Sequence, residues 1–132
     1  MEQLQKAILC VSSDPTILHL RQLLLERFGY RVYPASRLQD ASSLASYHCP
    51  DILLMDYSFS IAELEELAQG VKQICPDLMV AVVAPYFAMP GVNGRSIDRF
   101  ISIDESPGVI ISSIREMLGE ERELPEDSGA KK

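Results

Sequence analysis

Four consecutive apolar residues, Ile52-Leu53-Leu54-Met55, run directly into the carboxylate of Asp56. A short apolar run without alternation predicts a strand that is buried on both faces, as in the middle of a parallel sheet. In open α/β sheets, ligands bind just beyond the carboxyl ends of such strands. The run therefore predicts an α/β fold and makes Asp56 the first candidate for a functional residue.

Strand and helix signals alternate along the chain. Apolar runs predict five strands, at about residues 7–11, 31–34, 52–55, 79–84 and 100–103. Helix signals separate them: Asp14-Pro15 and Ser60 with Glu63 are typical helix starts. In the first helix, Ile17, Leu20, Leu24 and Phe28 are assigned to the inward-facing stripe. The alternation predicts a doubly wound, five-stranded parallel sheet with helices on both faces.

The segment 85–95 interrupts this alternation. It holds two prolines and two glycines where a fourth helix is expected, so that helix is predicted to be short or missing. The segment also carries four apolar or aromatic residues that could form an interaction surface: Tyr86, Phe87, Met89 and Val92. The predicted domain spans residues 1–119, and the charged residues 120–132 are predicted to be a disordered tail or the start of a linker.

Composition excludes several classes of function. The net charge of −7 disfavours binding to nucleic acid, which depends on cationic contacts with phosphates. No apolar run approaches the roughly 18 residues of a membrane span, and the polar start lacks a signal-peptide pattern, so we expect a cytoplasmic protein. Three widely spaced cysteines show no metal-binding pattern, and Cys10 reads as a core residue.

Three phrases of the chain, residues 8–11, 28–32 and 50–56, together resemble response-regulator receiver domains of bacterial two-component systems. The resemblance covers about residues 7–119 and implies a flavodoxin-like (CheY-like) topology. It also implies a role in signal transduction or a phosphorelay, in which Asp56 matches the aspartate that accepts a phosphoryl group from a histidine kinase.

The other positions of the receiver site do not match. The acidic pair that holds Mg²⁺ in active receivers falls on Ser12 and Ser13. The hydroxyl at the end of the fourth strand falls on Ala84, and the lysine that ends the fifth strand falls on Ile103. The switch aromatic alone is kept in kind, as Phe100. Phosphoryl transfer between two anions needs cations and hydrogen-bond donors, so the resemblance implies a degenerate receiver, or pseudo-receiver.

The sequence thus predicts a protein-interaction module without normal Mg²⁺-dependent phosphoryl transfer, which is not an enzyme and needs no cofactor. Its partner would be a histidine kinase, another signalling protein or a second copy of the chain. Two alternatives remain: an atypical receiver phosphorylated on Asp56 with Mg²⁺, and a flavin-binding or other small-molecule domain with a phosphate loop at residues 12–16. In the pseudo-receiver, Asp56 would accept hydrogen bonds from Ser12, Ser13 and loop amides.

The missing acidic pair generates a first prediction. We expect no Mg²⁺ or Mn²⁺ site of low-millimolar affinity at Asp56, because magnesium sites normally include at least one or two carboxylates among hard oxygen ligands. Amide chemical shifts near Asp56, followed during a metal titration, test this. Saturation that disappears in Asp56→Asn would contradict it.

Overall fold

The fold is built on one parallel sheet, seen in a computed structural model that describes residues 5–85, 96–102 and 108–120. Its strand order is β2-β1-β3-β4-β5, and every pairing is parallel. The strands are β1 (Ala7–Val11), β2 (Arg31–Ala35), β3 (Ile52–Asp56), β4 (Met79–Ala84) and β5 (Arg99–Ser102). This order is the doubly wound, flavodoxin-like arrangement that the sequence predicts.

Four helices are present in the described residues: α1 (Pro15–Arg27), α2 (Leu38–His48), α3 (Ile61–Ile74) and α4 (Gly108–Met117). Helices α2 and α3 contribute to one apolar cluster with one face of the sheet, and α1 and α4 contribute to a second cluster with the other face. The central strand β3 is buried along its entire length, as its unbroken apolar run predicts. The predicted architecture, with helices on both faces, is confirmed.

The inward face of α1 differs from the predicted stripe. Leu20 is 56% exposed and Phe28 is 44% exposed, whereas Leu18 and Leu25 are buried. Leucines occur on all sides of α1, so its sequence does not clearly distinguish the buried face from the exposed one. The buried face of α1 is therefore rotated by part of a turn from the predicted one. Arg21 lies on this face, three residues after Leu18 and four before Leu25.

Both ends of α1 are formed by the residues that the sequence indicates. The carboxylate of Asp14 accepts hydrogen bonds from the backbone N–H groups of Thr16 and Ile17, at 3.0 and 3.3 Å. Gly29 follows the helix with φ of +94°, in the left-handed region that glycine adopts without strain. Asp14 therefore acts as a helix cap, and it positions the helix that carries Arg21.

A disulfide joins Cys49, which follows α2, to Cys75, which follows α3. The cysteine pattern does not predict this bond, because a separation of 26 residues does not reveal that two helix ends meet. Cys10 is free and buried in β1, as expected of a core residue. Burial raises the pKa of the Cys10 thiol to about 12, with a smaller opposing effect of Arg21.

The described chain ends in contact with the domain. The hydroxyl of Tyr30 donates a hydrogen bond to the Glu120 carboxylate at 3.0 Å, and the Glu120 N–H donates to the Arg115 carbonyl at 2.7 Å. Glu120, the first residue of the predicted tail, thus packs back toward the start of β2. The remainder of that tail, residues 121–132, lies outside the described residues, as does the predicted loop 86–95.

No helix among the described residues is long and apolar enough to cross a membrane.

The cap of α1 generates a second prediction. Asp14→Ala should lower the free energy of unfolding by about 1 kcal/mol, because two N–H groups of the first turn lose their acceptor. Asp14→Asn is the matched control, since it removes the charge but keeps a side-chain oxygen that can cap. Chemical denaturation measures both. Equal destabilisation by the two substitutions would show that the charge of Asp14, and not its cap, matters.

Candidate functional site

Asp56 is the last residue of β3 and lies at the carboxyl end of the sheet, opposite Val83 of β4. It is 3% exposed, which is unusual for a carboxylate. A charged group in such surroundings must be paired or hydrogen-bonded, because burial removes its hydration. The contacts of its two oxygens therefore determine what the residue can do.

One carboxylate oxygen of Asp56 is held by the turn that follows β3. The backbone N–H of Ser58 donates to Oδ1 at 3.0 Å, and the Ser58 hydroxyl donates to the same oxygen. The Ser58 Oγ also accepts from the N–H of Ser13 at 3.0 Å. Ser58 thus connects the loop after β3 to the loop after β1 across the top of the carboxylate.

The other oxygen of Asp56 is held by Arg21 of α1. Its Nη1 lies 2.6 Å from Oδ2, and the two side chains are only 12% and 5% exposed. Side chains of a helix point back toward its N-terminus, so Arg21 extends toward the loop after β1 and the carboxyl ends of the strands. The chain therefore supplies an internal cation at the aspartate.

These contacts control the ionisation of Asp56. Burial raises its pKa and is the largest single effect. Hydrogen bonds from Ser58, Ser12 and Arg21 together outweigh it and hold the pKa below its usual value. Asp56 is therefore an anion at neutral pH, with donors directed at both of its oxygens.

The two serines at the acidic-pair positions differ in their surroundings. Ser12 is fully buried, and its hydrogen bond is one of those that lower the pKa of Asp56. Ser13 is exposed, and it reaches the site through its backbone N–H on Ser58 rather than through its hydroxyl. Of the two donors that the sequence proposed, the Ser12 hydroxyl contributes, and Ser58 and Arg21 supply the rest.

Ala84 and Phe100 line a small apolar cavity of about 280 Å³. The cavity is lined by side chains of β4, β5, α3 and the turn between β3 and α3: Tyr57, Phe59, Ile61, Leu64, Val82, Ala84 and Phe100. Ala84 offers it a methyl group where active receivers place a hydroxyl. The lysine position Ile103 and the predicted surface residues Tyr86, Phe87, Met89 and Val92 lie outside the described residues.

The loop after β1 uses its amides internally. The N–H groups of Ser12 and Ser13 donate to the Ala35 carbonyl and the Ser58 hydroxyl, and that of Asp14 donates to Ser12 Oγ. The next amides of the chain, those of Thr16 and Ile17, donate to the Asp14 carboxylate. A phosphate loop needs several backbone N–H groups free to point at the ligand. This loop does not present them.

The residues around Asp56 do not fit a magnesium ion. A guanidinium occupies one side of the carboxylate at 2.6 Å, and the groups beside it are hydroxyls. Across the part of the chain that the structure describes, no group of three His, Cys, Asp or Glu side chains is placed to hold a metal. A divalent cation at Asp56 would have to displace a guanidinium that already supplies the positive charge.

Comparison with known proteins identifies the fold. No protein-family profile matches the chain, and no curated protein matches its sequence. Solved structures do match. A response regulator receiver domain protein from Clostridium thermocellum superimposes with a TM-score of 0.73 at 18% identity, over 91% of this chain and 99% of that one.

Two further structures agree with the first. A receiver domain protein (CheY-like) from Methanospirillum hungatei JF-1 has a TM-score of 0.75 at 22% identity. The signal receiver domain of an HD domain-containing protein from Pseudomonas fluorescens Pf-5 has a TM-score of 0.75 at 19% identity. Each covers 91% of this chain and 99% of the other chain. The protein has the fold of response-regulator receiver domains.

Arg21 is not among the residues predicted from the sequence, although its position in α1 carries a signal. Arg21 is three residues after Leu18 and four before Leu25, so it lies on the same helix face as two buried leucines. A cation on a buried stripe requires a buried anion. If the buried face of α1 is taken to run through Leu18 and Leu25, Arg21 lies on it and needs a buried anion. Asp56 is the natural partner, because it is the only carboxylate directly preceded by a long apolar run.

The buried ion pair generates a third prediction. Asp56→Asn should lower the free energy of unfolding by about 3 kcal/mol, because it leaves the Arg21 guanidinium without its counter-charge. Double substitution, Arg21→Met with Asp56→Asn, is the matched control: Met retains most of the arginine stem, and Asn retains an oxygen for Ser58. The double variant should be more stable than Asp56→Asn alone, as measured by urea denaturation.

If Asp56→Asn unfolds at the same urea concentration as the wild type, the pair does not stabilise the protein and Arg21 is not its required partner.

The depressed pKa of Asp56 generates a fourth prediction, on pH. A carboxyl with a lower pKa in the folded state contributes stability above its unfolded pKa of about 3.9. That contribution disappears as the pH falls through the lower, folded value. Below about pH 4 the wild type should therefore lose stability more steeply than the Arg21→Met/Asp56→Asn variant. The same slope in both proteins would show that Asp56 is not the group responsible.

Proposed function

We propose that the protein is a pseudo-receiver: a receiver-fold domain that takes part in two-component-type signalling by binding another protein, without Mg²⁺-dependent phosphoryl transfer. It is a binding module and not an enzyme, and it acts in the cytoplasm. Its partner is a histidine kinase, another signalling protein or a second copy of the chain. The observation that carries this proposal is the buried pair between Arg21 and Asp56.

The pair opposes phosphorylation through the aspartate itself. A carboxylate accepts about four hydrogen bonds, and Asp56 already receives donors from the Ser58 amide, the Ser58 hydroxyl, Ser12 and Arg21. Attack on a phosphoryl group requires at least one of these contacts to break. The approaching donor also carries negative charge, and the described groups around Asp56 are a guanidinium, hydroxyls and an amide rather than the carboxylates that would hold a metal ion to offset it.

The ion pair between Arg21 and Asp56 is also compatible with a signal that does not depend on phosphorylation. In a switchable receiver, the charge at the aspartate changes when phosphoryl and metal bind. Here the counter-charge is covalently part of α1, so the carboxyl end of β3 has one electrostatic state at neutral pH. A partner that binds this fold would meet the same surface whatever the kinase activity in the cell.

A second candidate is an atypical receiver phosphorylated on Asp56. One observation favours it: guanidinium groups bind phosphate well, and Arg21 is in place to hold phosphoryl oxygens. The third candidate, a flavin-type phosphate loop, has less support because the amides of residues 12–14, 16 and 17 have partners within the chain. The absorption spectrum of the purified protein tests it, since a bound flavin is coloured.

Treatment with acetyl phosphate and Mg²⁺ separates the first two candidates and gives a fifth prediction. We expect no phosphoryl adduct on the intact protein by mass spectrometry, because Arg21 and Ser58 occupy the carboxylate. A receiver domain with the full acidic pair serves as the positive control for the reagent. An adduct that forms with Mg²⁺ and is absent from Arg21→Met/Asp56→Asn would establish the atypical receiver instead.

Binding to a partner should not depend on the charge at Asp56. The double variant is the right probe, since Asp56→Asn alone destabilises the fold. If association with a candidate kinase, or self-association in sedimentation, is lost in Arg21→Met/Asp56→Asn while the fold is intact, the charged site is itself part of the signal. The partner surface assigned to Tyr86, Phe87, Met89 and Val92 remains a prediction from the sequence.

A further inference from the structure

A second site lies at the opposite end of the sheet from Asp56. The Cys49–Cys75 disulfide lines an open cleft of about 300 Å³ with the residues that lead into β3 and β4. These segments precede the strands, whereas Asp56 ends one. The cleft is therefore separate from the candidate phosphoacceptor, and the following inference does not depend on the function proposed for Asp56.

The two sulfur atoms differ in access. Cys49 is exposed at the end of α2, whereas Cys75 is only 5% exposed. A thiolate attacks one sulfur of a disulfide and expels the other. Access therefore directs attack to Cys49 and leaves Cys75 as the departing thiol.

The reduced form is also accommodated. The Ala45 carbonyl lies 3.5 Å from Cys75 Sγ, so a thiol at Cys75 has an acceptor already in place. The Ile74 carbonyl lies 4.0 Å from Cys49 Sγ, at the outer limit for a sulfur donor. Reduction thus leaves the Cys75 thiol, the buried member of the pair, with a hydrogen-bond partner.

The backbone at Cys49 is unusual. Among the described residues it is the only non-glycine with positive φ, at +42°. The position ends α2, where glycine or asparagine would adopt this conformation with less strain. A cysteine here is explained by its sulfur rather than by its backbone.

The charge at the cleft is negative. Among the described residues that line it, Asp51 and Asp77 are the charged ones, and none is a lysine or arginine. Asp51 already accepts a hydrogen bond from the Ala7 N–H at 2.8 Å, whereas Asp77 is exposed. Two carboxylates repel an anionic reagent and attract a cationic one, an effect that salt screens.

We propose that Cys49 and Cys75 form a thiol–disulfide exchange site that reacts with low-molecular-weight thiols, cationic ones in preference to anionic ones. In the first step the thiolate RS⁻ bonds to Cys49 Sγ, and the Cys75 sulfur leaves as a thiolate that takes up a proton. A second RS⁻ then attacks the R-bearing sulfur, and Cys49 leaves and is protonated. Two thiols become one disulfide, RSSR, while two electrons and two protons pass to the protein.

The exchange acts on the connection between two helices. The bond ties the end of α2 to the end of α3, and the residue before Cys49 is packed against a neighbouring strand. The His48 ring stacks on Tyr33 of β2 at 4.0 Å and meets the ring of Tyr47 at 5.3 Å. Opening the disulfide releases the helix end that carries this stack, so tyrosine fluorescence reports on it.

The test uses the whole folded chain and two reagents of opposite charge, cysteamine (cationic) and 3-mercaptopropionate (anionic). After each exposure, native thiols are alkylated and counted by mass spectrometry. We expect none labelled before reduction and two afterwards, at Cys49 and Cys75, since these two residues line the open cleft whereas Cys10 is enclosed in β1. Oxidation by cystamine should restore the starting state.

For each reagent, the rate of reaction with the protein is divided by its rate with a small neutral disulfide. This ratio should be several-fold higher for cysteamine than for 3-mercaptopropionate, and added salt should reduce the difference. Asp77→Asn is the matched variant: it should lower the preference without changing the number of reactive thiols. Cys10→Ser should behave as the wild type, and Cys49→Ser with Cys75→Ser should show no tyrosine response to either reagent.

Three outcomes would overturn the proposal. Two labelled thiols after oxidation, at Cys49 and Cys75, would show that the bond does not form. A disulfide that resists both reagents until the protein unfolds would make it a purely structural bond. Equal normalised rates for the two reagents would remove the preference for cationic thiols. None of these results bears on the phosphoryl assay of Asp56, so the two proposals succeed or fail separately.

Discussion

The carboxylate of Asp56 is buried at the end of the central strand, so its charge has to be paired. The contacts that pair it depend on the placement of α1 and of the loops after β1 and β3. The Arg21 guanidinium meets Asp56 from α1, and Ser58 closes the opposite side. The Asp14 cap fixes the start of the helix that delivers the arginine. Charge, helix placement and loop contacts therefore form one dependent set, in which the chain itself supplies the positive charge at the aspartate.

This dependence explains why several receiver features are missing together. A guanidinium at Asp56 makes a divalent cation unfavourable, and without the cation an acidic pair after β1 would only add repulsion. Serines at those positions are compatible with the arginine. Ala84, which follows the residue paired with Asp56, lines a cavity together with Phe100. The residues at 12, 13, 21 and 84 are thus consistent with one another.

The sequence predicted the fold well because its signals were local and strong. The apolar run of β3 and the start signals of α1 and α3 each follow from a few neighbouring residues. Asp56 was proposed from its place at the end of an apolar run, and Ser12 from the resemblance to receiver domains. Arg21 was missed because a leucine-rich helix hides which face is buried. The disulfide was missed because its partners are 26 residues apart and meet only through the packing of α2 on α3.

The contact between Tyr30 and Glu120 fixes the position of the last residue that the structure describes. Glu120 is held next to the start of β2, at the end of the sheet where the disulfide also lies. A strand of five residues is about 16 Å long, so Glu120 is roughly that far from the level of Asp56. Any segment joined after Glu120 would have a high effective concentration at the disulfide end and a much lower one at the aspartate. Attachment at this point would therefore favour communication with the redox end of the domain.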